Sequence, residues 1–152
     1  MKKLRICSNR ISVDIFDKEV VILITNSKDY LQEEIEKVLA EDLGMRDDIA
    51  KEFADELKKV LKEEAYLSSG LTTTITTNRG YKDVFCIFDG DSPKSLSKEV
   101  IIHKMFHAMR FICKTCGVDD EETMAYMLDY LCRKFFEICN SFGKKDKKSS
   151  IL

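Results

Sequence analysis

The first part of the chain shows the two-residue periodicity of β-structure. Ile11, Val13 and Ile15 occupy every second position, a pattern typical of a strand with one buried face. A charged turn at residues 17–19 separates them from the purely aliphatic run Val20–Ile24. The two segments are therefore predicted to be paired strands.

Helical periodicity begins at Ser27, which can cap a first helix that Gly44 would end. A second helix is predicted to start at Asp47 or Asp48 and to end by residues 68–70. Each helix places its apolar side chains on one face and polar ones outside. These apolar residues are Leu31, Ile35, Val38 and Leu39 in the first helix, and Ile49, Phe53, Leu57, Val60 and Leu61 in the second.

The period-two pattern returns after the second helix. Residues 72–77 are β-branched throughout, residues 78–80 form an Asn-Arg-Gly turn, and residues 84–88 are a short apolar run. Pro93, the only proline, helps to end the second of these strands. The segment is predicted to be a β-hairpin.

Two further helices are predicted in the last third of the chain. The first has Ser95 or Ser97 as its cap, runs to about Cys113 and is closed by Gly117. The next begins at residues 119–120 and runs to about Ser141. Because both are apolar on more than one face, they are predicted to be the central buried helices. The prediction is thus a single α+β domain over residues 1–142, followed by a basic, disordered tail at residues 143–152.

Composition narrows the class of protein. The 152 residues include 44% hydrophobic and 34% charged side chains, with a net charge of −2. This balance is typical of one globular domain, and nucleic-acid contact is expected at most from the basic tail. No apolar run approaches the roughly 20 residues of a membrane span, and no apolar segment of a signal peptide follows the basic start. We therefore expect a cytoplasmic protein without membrane contact.

The only two histidines, His103 and His107, stand four residues apart in a predicted helix. Residues at this offset lie one turn apart on the same helical face, so that both imidazoles can reach one metal ion. The alternative is a pair of core histidines that hydrogen bond to their neighbours. The spacing makes the pair the main candidate for chemistry in the chain.

The local sequence His103-Lys104-Met105-Phe106-His107 resembles the HExxH helix of zincin metallopeptidases with its second residue changed. It is similar in particular to small HExxH proteins encoded by bacteriophages, in which a following acidic helix carries Glu-x-x-Ala-Tyr. That sequence stands here at residues 122–126, and the resemblance covers about residues 81–136. It implies a zincin-like α+β fold, with a small mixed or antiparallel sheet packed on about four helices.

The same resemblance implies a set of metal ligands. It makes His103, His107 and Glu122 the zinc ligands, with water in the fourth position and Glu121 as an alternative third ligand. Tyr126 and Asp129 would lie near the site and orient its ligands. Glu99, one turn before His103, is a further carboxylate on the same face.

Lys104 occupies the place of the catalytic glutamate in that family. The glutamate takes a proton from the metal-bound water, which an ammonium group cannot do because it has no lone pair. The sequence therefore favours a noncatalytic zincin-like structural or protein-interaction domain with a protein partner, either a virion protein or one in the host cytoplasm, with or without zinc. The alternative is a zinc-dependent metallopeptidase with an atypical general base.

Two other patterns compete for the same residues. Asp119 and Glu122 have the spacing of a capping box, which would engage the Glu122 carboxylate at a helix start. Cys113 and Cys116 have the spacing of half a zinc site or of a redox pair, although no second such pair follows. Four of the six cysteines fall in predicted helices, where a thiol usually packs as a small hydrophobic group, so a disulfide framework is disfavoured.

Overall fold

The protein is organised as three layers, in which a mixed β-sheet separates two pairs of helices. The computed structural model describes the backbone of residues 3–63 and 70–151 and the side chains of residues 3–63 and 70–140. Within these residues the sheet has four strands, and two hydrophobic clusters lie on its opposite faces. The predicted α+β class, with a mixed sheet packed on four helices, is confirmed.

The four strands run in the order β1-β2-β4-β3. Pairing is antiparallel between β1 and β2, parallel between β2 and β4, and antiparallel between β4 and β3. Both predicted strand pairs are thus present. Their bounds are β1 Ile6–Val13, β2 Lys18–Thr25, β3 Leu71–Thr76 and β4 Lys82–Asp89.

Ile15 is the one apolar residue of the first predicted strand that lies outside the sheet. It belongs to a short 3-10 turn, Asp14–Phe16, which Asp17 closes in the left-handed conformation at φ 51°. The turn takes Ile15 away from the sheet, and its side chain is 84% exposed. Its assignment to the strand was therefore wrong, because a turn residue followed the alternation by coincidence.

The centre of the molecule is formed by β2 and β4. Every side chain from Val20 to Ile24 and from Val84 to Phe88 is buried. Alternation along a strand sends successive side chains to opposite faces, so these two strands supply both hydrophobic clusters. The central layer is therefore the sheet, and the prediction that the two C-terminal helices are central is wrong.

One face of the sheet is covered by α1 (Lys28–Lys37) and α2 (Asp47–Glu63). As predicted, Ser27 caps α1, with its hydroxyl accepting a hydrogen bond from the Tyr30 amide at 3.2 Å. A π-helical turn, Val38–Asp42, extends α1 before the chain reverses at Gly44, whose φ is +68°. The end of the second helix was predicted by residues 68–70, and residues 64–69 lie outside the described residues.

The other face is covered by α3 (Lys98–Cys116) and α4 (Glu121–Ile151). Ser97 caps α3 by accepting from the Val100 amide, whereas Ser95 is buried and accepts from the Asp89 amide. Gly117 ends α3 at φ +71°. This confirms Ser97 and Gly117 as the two ends of the helix.

The start of α4 differs from the predicted capping box. A carboxylate oxygen of Asp120 accepts hydrogen bonds from the Thr123 amide at 3.0 Å and from the Thr123 hydroxyl at 2.6 Å. The cap is therefore Asp120, one residue later than Asp119, and the box with Glu122 is not formed. The hydrogen bond from the Thr123 hydroxyl strengthens the cap at Asp120. From the acidic sequence alone, Asp119 and Asp120 could not be distinguished as the cap.

Among the described side chains of α4, a single stripe is buried: Met127, Leu131 and Phe135. This spacing of one helical turn shows an amphipathic helix lying on the sheet, with the Phe135 ring packed edge-on against Phe88 at 4.9 Å between centroids. The backbone remains helical to Ile151, past the predicted end near Ser141. The backbone of residues 143–151, for which a disordered tail was predicted, is therefore helical.

Candidate functional site

The two histidines share one face of α3, as their spacing predicted. The Nε2 atoms of His103 and His107 lie 2.9 Å apart, and their ring centroids are separated by 4.7 Å. His103 is exposed and His107 is half-buried, because the buried side of α3 is formed by residues such as Met105 and Ala108. The pair therefore faces outward, and the alternative prediction of two core histidines is wrong.

The contact between the rings requires that at least one of them is neutral. In a hydrogen bond between two imidazoles, one Nε2 carries the proton and the other offers its lone pair. Burial lowers the pKa of His107, and the neighbouring charges of His103 and Lys104 lower it further. Both effects favour a neutral His107 ring at physiological pH.

Lys104 lies on a different side of α3 from the histidine pair. Its Cε atom would stand 3.5 Å from a Cβ added to Gly70, at the start of β3, and its backbone carbonyl accepts from the Thr72 hydroxyl at 3.4 Å. The aliphatic stem thus leans toward the sheet. The positive charge of its ammonium group lowers the pKa of His107. The contacts of the stem place the lysine side chain beside β3.

The third ligand implied by the family resemblance is not brought to the histidines. Among the side chains that the structure describes, no group of three or more His, Cys, Asp or Glu residues is placed to hold a metal ion. Glu121 and Glu122 are both exposed in the first turn of α4. The residues of the implied zinc site therefore do not fit a three-ligand zinc centre as they stand.

The two residues expected to orient that site make other contacts. Asp129 lies 3.7 Å from Arg133 in an exposed ion pair one helical turn away. Tyr126 is 72% exposed and lines a groove on the side of α4 that faces β1. Neither contact connects them to the histidine pair.

The cysteines are mainly packing residues. Cys113 is buried and Cys116 half-buried, and both contribute to the hydrophobic cluster between the sheet and α3. Burial raises the pKa of the Cys113 thiol. The described part of the chain places no other metal-binding side chains with this pair, which disfavours its interpretation as half of a zinc site.

A groove between the end of β1 and the start of α4 was not predicted from the sequence. It has a volume of about 380 Å³ and is lined mainly by apolar and aromatic side chains. Ile15 and Tyr126 protrude beside it, with 84% and 72% of their surfaces exposed. One feature of the sequence could have predicted the groove: an isoleucine within an acidic turn, Asp14 to Asp17. The other lining residues are Ser12, Val13, Asp14, Phe16, Thr123, Met127 and Tyr130.

Comparisons with known proteins give no assignment, since no family model, no curated protein and no solved structure matches the chain. Within the described residues, no helix combines the length and the apolar character needed to cross a membrane.

Proposed function

We propose that this chain is a noncatalytic zincin-like domain that acts by binding a protein partner, either in a phage particle or in the cytoplasm of the host. The observation that carries the proposal is the groove beside Ile15 and Tyr126. An aliphatic and an aromatic side chain of this size, both largely exposed next to a concave apolar surface, are typical of a protein-binding site. Tyrosine in particular is enriched among the residues that dominate binding energy.

The noncatalytic part of the proposal is supported by the surroundings of the two histidines. Lys104 stands where the zincin family, which the chain resembles, has its general base. The stem of this lysine packs toward β3. Glu122 is not grouped with the imidazoles. A hydrolytic zinc site needs a base for the bound water, and the lysine at position 104 supports the noncatalytic proposal because its ammonium group cannot take that proton.

The partner can be sought by photocrosslinking in the cells or particles that contain the protein. A photoreactive amino acid at position 126 is expected to give one dominant crosslinked protein, and the same probe at Asp55, on the opposite helix layer, should not. Ile15→Ser should abolish the crosslink from position 126. Ile102→Ser is the matched control, since Ile102 is 45% exposed on α3, away from the groove. Retention of the crosslink in Ile15→Ser would contradict the proposal.

A second candidate function is a zinc-dependent peptidase with an atypical general base. The observation that favours it is that both imidazoles lie on one face of α3, with their ring centroids 4.7 Å apart. The test is a broad peptide-cleavage screen on untagged protein supplied with zinc, using the native chain and Lys104→Glu. We expect no cleavage by either. Chelator-sensitive cleavage that disappears in His107→Ala would establish the peptidase and overturn the noncatalytic proposal.

A further inference from the structure

The groove between β1 and α4 is bordered at one end by exposed carboxylates, which are called the acidic rim below. Asp14 lines the groove directly, and Asp17 closes the same turn. Glu122 lies one turn before Tyr126 on the same face of α4, and Asp119 precedes that helix. The groove therefore combines an apolar floor with a negatively charged border.

The negative charge of the acidic rim is not neutralised by neighbouring cations. Among the side chains that the structure describes, none of the carboxylates of the rim forms an ion pair. Within residues 121–140 the cations of α4 are already paired, Arg133 with Asp129 at 3.7 Å and Lys134 with Glu137 at 3.7 Å. An apolar groove with such a border fits a helical segment that carries both apolar side chains and positive charge.

The far end of α4 has this composition in its sequence. The backbone continues as one helix to Ile151, and residues 142–151, called the basic end below, contain a phenylalanine, four lysines and one aspartate. Lys144 precedes Lys147 and Lys148 by three and four residues, which is the spacing of one helical face. The helix is therefore negative at its start and positive at its end.

The two ends of α4 cannot meet within one chain. A helix rises about 1.5 Å per residue, so Lys144 lies about 30 Å along the axis from Thr123, which lines the groove. In two copies whose α4 helices run antiparallel, the basic end of each would lie along the acidic rim of the other. Such a pairing has two-fold symmetry and makes both contacts at once.

We infer that the groove is occupied by a second copy of this chain, whose basic end lies against the acidic rim in an antiparallel dimer. The inference rests on the proposed protein-binding role of the groove and names its occupant. Ile15 and Tyr126 supply the apolar contact, which the aliphatic stems of lysines can cover. The acidic rim supplies the attraction and fixes the direction of the second helix.

The test is sedimentation velocity of untagged full-length protein over a range of concentrations, with a reductant present because the chain has six free cysteines. We expect a monomer–dimer equilibrium whose dissociation constant rises at least about tenfold between about 0.05 M and about 0.5 M NaCl, since salt screens exposed charges. Ile15→Ser should weaken the dimer by about tenfold or more, because it removes an apolar contact that is made twice. Ile102→Ser, an equally conservative change of an exposed isoleucine on α3, should not weaken it.

Charge reversal at the two ends distinguishes this dimer from any other. The rim variant reverses three carboxylates: Asp14→Lys, Asp119→Lys and Glu122→Lys. The end variant reverses three lysines: Lys144→Glu, Lys147→Glu and Lys148→Glu. Each variant alone should have a dissociation constant higher by about 100-fold or more, because like charges then meet at both contacts. An equimolar mixture should restore the dimer, since each rim then faces an end of opposite charge.

The matched control carries Glu33→Lys, Glu36→Lys and Glu41→Lys, three exposed positions on the opposite helix layer. It changes the net charge as much as the rim variant does, but leaves the groove intact. It should dimerise like the native chain. Circular dichroism confirms that each variant is folded.

A native chain that stays monomeric at low salt would overturn the inference. Reversed variants that dimerise like the native chain, or a mixture that does not restore the dimer, would overturn it as well. The proposed function has a separate outcome. A monomeric purified chain, together with a crosslink in cells from position 126 to a different protein, would remove the second copy as the occupant and leave the protein-binding role of the groove standing.

Discussion

The phenol of Tyr130 donates a 2.7 Å hydrogen bond to the backbone carbonyl of Ser12, joining α4 to the edge strand β1. The carbonyl points away from β2, so this bond satisfies a polar group on the open edge of the sheet. Tyr130→Phe removes the donor and leaves the ring. We expect a loss of about 1 kcal/mol in the free energy of unfolding, measured by urea denaturation. The control is Tyr126→Phe on the same helix, whose exposed hydroxyl faces solvent; a loss as large in this control would contradict the assigned role.

The Phe135 ring anchors α4 on the sheet through its edge-on contact with Phe88. Phe135→Ala leaves a cavity in the cluster between the sheet and the helix, and should cost about 3–5 kcal/mol of unfolding free energy. Phe136→Ala is the comparison, because its neighbouring ring is only partly buried. We expect a clearly smaller loss there, and equal losses would show that α4 is not oriented by the Phe135 stripe.

Gly70 is required both for its backbone conformation and for the space beside it. Its φ is +72°, and an added Cβ would lie 3.0 Å from two ring atoms of the fully buried Phe88. Gly117→Ala provides a matched control, since Gly117 has φ +71° and open space around it. Thermal or urea unfolding should show a cost of about 1 kcal/mol for Gly117→Ala and of at least about 1 kcal/mol more for Gly70→Ala. Similar costs at both positions would mean that Phe88 moves aside.

Asp83 should make the stability of the protein depend on pH. Burial raises the pKa of its carboxyl group to about 6, and the nearby charge of Glu19 contributes to the increase. The folded state therefore holds the proton more strongly than the unfolded state, whose pKa is near the ordinary value of 3.8. Stability from this group is present below about pH 4 and is lost as the pH rises to about 6.

Asp83→Asn removes the carboxyl group that causes this loss of stability with rising pH. After allowance for solvent screening of a partly exposed group, we expect the variant to be about 1 kcal/mol more stable than the native chain at pH 7 and about equally stable at pH 3.5. Urea unfolding at the two pH values measures the difference. Asp55→Asn, in an exposed pair with Lys51, should change little at either pH. A stabilisation by Asp83→Asn that does not vary with pH would contradict the assignment.

The elements themselves were predictable because their signals are local. The β-branched run at residues 72–77, the aliphatic run Val20–Ile24 and the caps Ser27 and Ser97 are each recognised from neighbouring residues only. The structure has a strand at Leu71–Thr76, a strand over the aliphatic run and both caps. The layer order was not predictable in the same way. From the sequence alone, either the two apolar helices or the two apolar strands could form the central layer. The strands form it because β2 pairs with β4 in parallel at the middle of the sheet.

In the candidate site, too, the local geometry was predictable from the sequence and the tertiary arrangement was not. The i, i+4 spacing correctly brought the two imidazoles together, because this is a property of any helix. Which side of α3 they occupy depends on Met105, Ala108 and Met109, which are more deeply buried and turn the histidines outward. The position of Glu122 depends on the path of the chain through Gly117 and on the start of α4, which no single-helix pattern contains.

The parallel pairing of β2 with β4 also has a consequence for how the chain folds. The β1–β2 and β3–β4 hairpins need only short loops and can form early, whereas β2 and β4 meet only after the whole crossover through α1 and α2 has closed. Until then, each hairpin exposes one long apolar edge, Val20–Ile24 in one case and Val84–Phe88 in the other. We expect these edges to make the refolding yield fall with protein concentration, because intermolecular pairing competes with completion of the sheet.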